Sequence, residues 1–161
     1  MKKLLVVLLL VLCLSAAYAK RYKRPLVELG PKASLYIGSV NFGIGADVVI
    51  NPLKNIGFRL DVTEVIFGDA TVFSLNRGAS LDAFIYIPMK GVQPYAFVGF
   101  GLSANGGTIF LIRGGMGFDF VMNKKLKLFA EPGIIFTSVS NGASDTDVTF
   151  RVSGGARFGI F

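Results

Sequence analysis

The amino-acid sequence predicts an all-β protein, an eight-stranded antiparallel up-and-down barrel. From residue 26 onward, apolar and polar residues alternate with a period of two, as they do along a strand whose side chains point to opposite faces. Glycine, valine, isoleucine and phenylalanine dominate these stretches, and helical spacing fails throughout. Connections of two kinds separate the stretches, which favours successive antiparallel strands over parallel ones.

The chain begins with a stretch that is typical of a secretory signal peptide, residues 1–19. Two lysines form its positive start, Leu4 to Leu14 its apolar core, and Ala17-Tyr18-Ala19 fits an A-x-A cleavage site. The single cysteine of the chain, Cys13, lies within this stretch. We expect no lipid attachment to it, because the bulky Leu12 precedes it.

The next segment, residues 20–25, reads KRYKRP. We expect it to be a flexible, solvated terminus and not a tether to anionic headgroups or cell-wall polymer. The chain carries a net charge of +7, and removing the six cations of residues 1–25 leaves +1 for residues 26–161. Because this remainder has no basic groove with interleaved aromatic residues, we expect no nucleic-acid partner.

Residues 26–161 form the predicted barrel. Its eight extended segments span 26–37, 41–50, 56–67, 79–87, 94–103, 108–121, 126–138 and 147–161. The connections 51–55, 89–93 and 123–125 are short and basic, whereas 68–78 and 139–146 are longer and carry aspartates. Two kinds of connection at alternate ends predict a meander with short turns at one end and longer loops at the other.

The last segment shows the alternation most clearly. One of its faces is apolar and consists of Val148, Phe150, Val152, Ala156, Phe158 and Ile160. The other face is small, polar or cationic and consists of Thr149, Arg151, Ser153, Gly155, Arg157 and Gly159. The orientation of the barrel wall therefore depends on which of these faces points inward.

The polar face collects the charged residues of every segment except the fifth. In chain order they are Glu28, Lys32, Asp47, Arg59, Asp61, Asp82, Arg113, Asp119, Glu131, Arg151 and Arg157. Five cations thus stand with six anions, among many glycines and serines. A surface in water would carry more lysine and glutamate, whereas an eight-stranded lumen is just wide enough for side chains to fill it. Since buried charge must be paired, we predict that these residues form a charge network that plugs the lumen.

The apolar face carries nine phenylalanines, which the sequence places in two aromatic belts around an aliphatic band. They are Phe42, Phe100, Phe110, Phe136 and Phe150 near one rim, and Phe58, Phe118, Phe120 and Phe158 near the other. Two belts of this kind are typical of a transmembrane barrel. The composition agrees, because 52% of residues are hydrophobic and 17% charged, while no apolar run reaches the roughly 18 residues of a spanning helix.

Some residues depart from this pattern. The inner parity also includes seven large apolar or aromatic residues, which predict a partly hydrophobic plug: Tyr36, Phe84, Tyr86, Tyr95, Phe97, Phe129 and Ile135. Glu64 falls on the outer parity. We therefore expect it beyond the membrane edge or at a β-bulge.

In PYAFVGFGLS (94–103), GGMGFDFVMNKKLKLFAEPGIIFTSVS (114–140) and the last strand, the chain resembles the small outer-membrane β-barrel family of the eight-stranded OmpA/OmpX type. The resemblance implies an up-and-down barrel with both termini in the periplasm and insertion by the outer-membrane assembly machinery. We expect a monomer in the outer membrane, with membrane lipid and lipopolysaccharide as partners. Phe161 resembles the terminal aromatic signal of that machinery, although it is out of phase with Phe158 and Ile160.

No catalytic, cofactor-binding or metal site is predicted. The segment 99–104 fits G-x-G-x-x-A, but Asn105-Gly106-Gly107 follows it as a turn, where a dinucleotide site requires a helix. The chain has no histidine to activate its serines, and its acidic residues lack metal-ligand spacing.

The predicted function is that of an integral outer-membrane barrel with a plugged, charge-balanced lumen and a structural or surface-interaction role, without catalysis. A soluble periplasmic barrel that binds a hydrophobic ligand is the first alternative, and it requires the reverse orientation of the wall. A narrow porin-like channel or a lipid-modifying barrel enzyme is the third possibility.

Overall fold

Eight antiparallel strands close into a barrel in sequence order. The computed structural model describes residues 24–37, 41–67, 80–87, 89, 91–104, 108–140 and 144–160. The strands are β1 (Val27–Ile37), β2 (Asn41–Ile50), β3 (Ile56–Phe67), β4 (Ser80–Tyr86), β5 (Val92–Ala104), β6 (Thr108–Val121), β7 (Leu126–Ser140) and β8 (Ser144–Gly159). The part of the chain described here contains no helix of the length and apolarity needed to cross a membrane.

Closure of the barrel depends on the pairing of its first and last strands. β8 lies antiparallel to β1, with Leu29 opposite Phe158 and Leu35 opposite Val152. Every strand therefore has a hydrogen-bonded neighbour on both sides, and the wall has no free edge. The prediction of an eight-stranded antiparallel up-and-down barrel is confirmed.

The two ends of the barrel differ in their connections. The turn end carries the connections 51–55, 87–91 and 122–125 together with residues 24–26 and Ile160. Backbone hydrogen bonds fasten this end: Asn51 N donates to Leu26 O at 2.8 Å, and Gly159 N donates to Lys125 O at 2.7 Å. Gly91 has a φ of 85°, a left-handed conformation that explains the glycine in this turn.

The opposite end, the loop end, corrects one expectation. Only three residues, 141–143, separate β7 from β8, so the predicted longer loop 139–146 is wrong. The ladder continues through polar pairs such as Thr137 with Asp147 and Ser138 with Thr146. Antiparallel pairing satisfies the backbone whatever the side chains are, so polar composition did not end these strands. The connections 38–40 and 105–107 are equally short, and 68–79 is the long one.

One irregularity interrupts the ladder between β2 and β3. The register shifts between Ala46 and Asp47, which pair with Thr63 and Asp61 respectively. Such a bulge changes the face taken by residues on either side of it. The backbone of Glu64 follows directly and pairs with Gly45, while its side chain lies outside the described residues. The irregularity expected near Glu64 is therefore present in the backbone.

Glycines on the inner face make room for the side chains of neighbouring strands. A Cβ added at Gly99 would lie 1.8 Å from Asp82 Oδ1, and one added at Gly117 would lie 2.3 Å from the Tyr95 ring. Both distances are far below any van der Waals contact. The inner side chains thus lie flat against the wall and fill a lumen that is only eight strands wide.

Candidate functional site in the barrel lumen

The charged residues that the sequence places on the polar face all lie inside the barrel. Glu28, Lys32, Asp47, Arg59, Asp61, Asp82, Arg113, Asp119, Glu131, Arg151 and Arg157 are each at most 3% exposed. Two further cations, Arg24 and Lys127, are also buried. Among the described residues the interior therefore holds seven cations and six anions. We call these thirteen residues the lumen charge network.

The centre of this network is a bidentate ion pair between Arg59 and Glu131. Arg59 Nη1 and Nη2 donate to the two oxygens of Glu131 at 2.6 and 2.9 Å, and Arg59 Nε donates to Asp82 Oδ2 at 2.6 Å. The Tyr95 hydroxyl donates to Glu131 Oε2 at 2.9 Å. Because β3 and β7 are four strands apart in a closed ring of eight, the pair joins opposite walls of the barrel. Bidentate arginine–carboxylate pairs are among the strongest and most directional hydrogen-bonded contacts.

On the loop side of this pair, Asp61 and Asp82 gather the cations. Arg113 Nη1 lies 2.7 Å from Asp61 Oδ2, and Arg113 Nε donates to Asp82 Oδ1 at 2.7 Å. Lys32 Nζ donates to Asp61 at 2.6 Å. These contacts join β6 to β3, β6 to β4 and β1 to β3, so each one skips at least one strand and crosses part of the lumen.

On the turn side, Arg157 is the central cation. Its Nη1 lies 2.9 Å from Asp119 Oδ1, and its Nη2 lies 3.1 Å from Asp47 Oδ2. Its guanidinium carbon lies 4.0 Å from the centre of the Phe129 ring, which adds a cation–π contact. Lys127 donates to Glu28 and lies 3.6 Å from Asp119.

Aromatic rings fill the space beside these ions. Phe84 stacks on Tyr95 with ring centres 5.0 Å apart, and Tyr86 and Phe97 meet Phe84 edge-on. The guanidinium carbon of Arg59 lies 4.7 Å from the Phe84 ring centre. The seven apolar or aromatic residues of the inner parity are all buried, namely Tyr36, Phe84, Tyr86, Tyr95, Phe97, Phe129 and Ile135. The lumen thus combines an aromatic cluster with an ionic one.

The outer face of the wall is apolar. Its nine phenylalanines are between 38% and 51% exposed, and they are Phe42, Phe58, Phe100, Phe110, Phe118, Phe120, Phe136, Phe150 and Phe158. Between them, Ile85 and Val98 are 66% and 60% exposed. Phe161 lies outside the described residues.

Arg24 differs from what the sequence predicts. Residues 20–25 are expected to be a solvated terminus, but Arg24 is buried, with its Nη1 3.1 Å from Asp119 Oδ2 and its guanidinium carbon 3.4 Å from the Tyr86 ring centre. Residues 20–23 lie outside the described part of the chain. The position just before β1 brings Arg24 to the mouth of the barrel, where a carboxylate and an aromatic face are available.

Lys127 is the other member of the network that sequence reasoning missed. It lies in the predicted segment 126–138, directly after the basic turn 123–125, but it is not among the charged residues assigned to the polar face. Its parity is nevertheless that of Phe129 and Glu131, which both lie inside. Counting in steps of two from Glu131 would have found it.

The network can neutralise charge inside a narrow space. All six buried carboxylates contact at least one buried cation. Removing one partner of a buried ion pair is costly because it leaves an uncompensated charge. Among the described residues, no group of three or more acidic side chains is placed to hold a metal ion.

The crossing pair provides a test of this account. We expect Arg59→Met to lower the free energy of unfolding by about 3–5 kcal/mol, because Glu131 loses its bidentate partner and Asp82 loses one of its two arginines. Urea unfolding in detergent, followed by far-ultraviolet dichroism, measures this change. Lys54→Met removes an equal charge from an exposed turn and should change the free energy by no more than about 0.5 kcal/mol. Equal stability of the two variants would contradict a network that holds the barrel together.

No protein-family model matches this chain. No curated protein and no solved structure shows significant similarity to it. The resemblance to eight-stranded outer-membrane barrels therefore stays a prediction from the quoted residues, and the barrel itself is established by the strand pairing described above.

Proposed function

We propose that this protein is an integral outer-membrane β-barrel with a plugged, charge-balanced lumen, and that its role is structural or one of surface interaction without catalysis. The observation that carries the proposal is the inverted distribution of its side chains. Large apolar residues are exposed on the outer wall, whereas thirteen charged residues are buried inside. A protein in water has the opposite arrangement, because exposed apolar surface costs free energy there.

The extent of the apolar surface supports a lipid environment. Soluble monomers rarely expose continuous apolar patches larger than a few hundred square ångströms. Here exposed apolar side chains occur around the wall, for example Leu35 on β1, Leu60 on β3, Val98 on β5 and Phe136 on β7. A closed barrel also satisfies its backbone internally, which is a requirement of any structure that crosses hydrocarbon.

A soluble periplasmic barrel that binds a hydrophobic ligand is less well supported. That function needs an apolar cavity inside a polar wall. The described interior is instead crossed by ion pairs such as Arg59 with Glu131 and Arg157 with Asp47. The same crossing pairs favour a plug over an open, porin-like channel.

Cell fractionation tests the location directly. The full chain, expressed in a Gram-negative host, should be recovered with outer membranes and should leave them only when detergent is added. A known periplasmic protein of the same host serves as the control for leakage. Recovery of the chain in the soluble periplasm without detergent would overturn the proposal.

The wall offers a sharper test of lipid contact. Val98→Arg places a cation in the middle of β5 and should lower the free energy of unfolding from lipid vesicles by about 2–4 kcal/mol. Met122→Arg, an equally exposed position at the turn end, should cost only about 0–1 kcal/mol. In a water-exposed barrel the two substitutions would be equally mild, and that result would exclude the membrane interpretation.

The plug predicts little ion conduction. In planar lipid bilayers the protein should give no large, steady single-channel currents, because cross-lumen contacts occupy the path. Bilayers that lack the protein provide the baseline. Steady currents of porin size would show that the lumen is open and would favour a transport role.

A further inference from the structure

A basin opens at the turn end of the barrel, with a volume of about 660 Å³. It is lined by residues 24–26 just before β1, by the connections 51–55 and 122–125, and by Gly159 and Ile160 at the end of β8. This basin lies outside the lumen charge network, and Arg24 is the residue that the two share.

The described residues that line the basin include cations but no carboxylate. Lys54, Lys124 and Lys125 are exposed, and none of them forms an ion pair within the described part of the chain. Arg24 is the fourth cation of the lining. Four positive charges around one concave surface create a site for an anion.

Arg24 provides independent support for an anionic ligand. Its side chain is only 3% exposed, and one of its nitrogens, Nη1, is paired with Asp119. The other two, Nε and Nη2, are buried and have no hydrogen-bond partner. Unsatisfied buried donors are costly, and those of a guanidinium fit the oxygens of a phosphate.

The charge count of the interior leads to the same conclusion. Without Arg24, the lumen charge network contains six cations and six anions. Among the described residues the lumen thus carries one positive charge in excess, and Arg24, which shares Asp119 with Arg157 and Lys127, is the network cation that lines the basin. An anion in the basin would balance this excess charge and would also meet the three lysines.

The lining also has an apolar part. Leu26, Leu53 and Ile160 line the basin and are 52%, 59% and 44% exposed. All three lie at the turn end, in the same lining as the cations. A ligand that matches both parts carries a negative headgroup and a hydrocarbon chain.

We infer that the basin binds the phosphate headgroup of an anionic phospholipid from the membrane leaflet at the turn end. The phosphate contacts Arg24, Lys54, Lys124 and Lys125, and the acyl chain follows Leu26, Leu53 and Ile160. This inference rests on the proposed membrane location, because it needs a lipid leaflet at this end of the barrel.

Lipid retention by the detergent-purified protein tests the inference. Phosphatidylglycerol and phosphatidylcholine with identical acyl chains are titrated into the micelles, and native mass spectrometry counts the molecules that stay bound. Phosphatidylglycerol should bind about tenfold more tightly. Lys54→Ala and Lys125→Ala should each weaken its binding about fivefold. Lys90→Ala, which removes the same charge from the connection between β4 and β5, is the matched control and should leave binding unchanged.

Arg24→Lys separates binding from folding. This variant keeps a cation beside Asp119 but loses the planar guanidinium, so phosphatidylglycerol affinity should fall in a protein that still folds and unfolds cooperatively in urea. Equal retention of both lipids, or equal effects of Lys54→Ala and Lys90→Ala, would overturn the inference. So would complete displacement by inorganic phosphate, which would identify free phosphate as the ligand. If the protein fractionates with membranes, any of these results contradicts the lipid site and leaves the proposed function standing. Recovery of the protein in the soluble periplasm would instead contradict the proposed function.

Discussion

The ion pair between Arg59 and Glu131 is the contact on which the interior of this barrel depends. It connects walls on opposite sides of the ring, and both residues also hold other members of the network. Arg59 reaches Asp82, while Glu131 accepts hydrogen bonds from Tyr95 and Arg151. Burying any one of these charged groups without its partners would cost several kcal/mol, so each ion pair is stable only while the neighbouring pairs are in place. The network is therefore a single cooperative unit.

The size of the lumen imposes a second constraint, which the glycines meet. A lumen of eight strands has little space beyond its own side chains. Arginine and aromatic side chains fit together because glycines, which have no Cβ, lie opposite some of the rings on the adjacent strand. Gly117 lies beneath the Tyr95 ring, and Gly155 lies beneath Phe129, where an added Cβ would approach the ring to within 2.9 Å. The small residues and the large ones thus specify one packing arrangement together.

Parity explains how much of this site the sequence could predict. A strand alternates its side chains strictly, so residues such as Glu28, Asp82 and Arg151 could be assigned to one face without coordinates. The partners could not be assigned, because Arg59 meets Glu131 only after the barrel closes and the register is set. Arg24 precedes β1, so the alternation of side chains along that strand does not assign it to a face. The length of β7 and β8 was missed because polar pairs at the loop end remain in the ladder.

The two ends of the lumen are physically different, and this difference shows where the interior meets its surroundings. Toward the loop end, Tyr36, Leu111 and Ile135 form a buried apolar cluster. Toward the turn end, Asn51 and Gln93 each have a buried polar side-chain atom without a hydrogen-bond partner. Buried polar groups of this kind require water or a ligand, whereas an apolar cluster excludes both. Within the described residues, a buried apolar cluster thus lies toward the loop end, whereas Asn51 Oδ1 and Gln93 Oε1 leave polar capacity at the end where the basin opens.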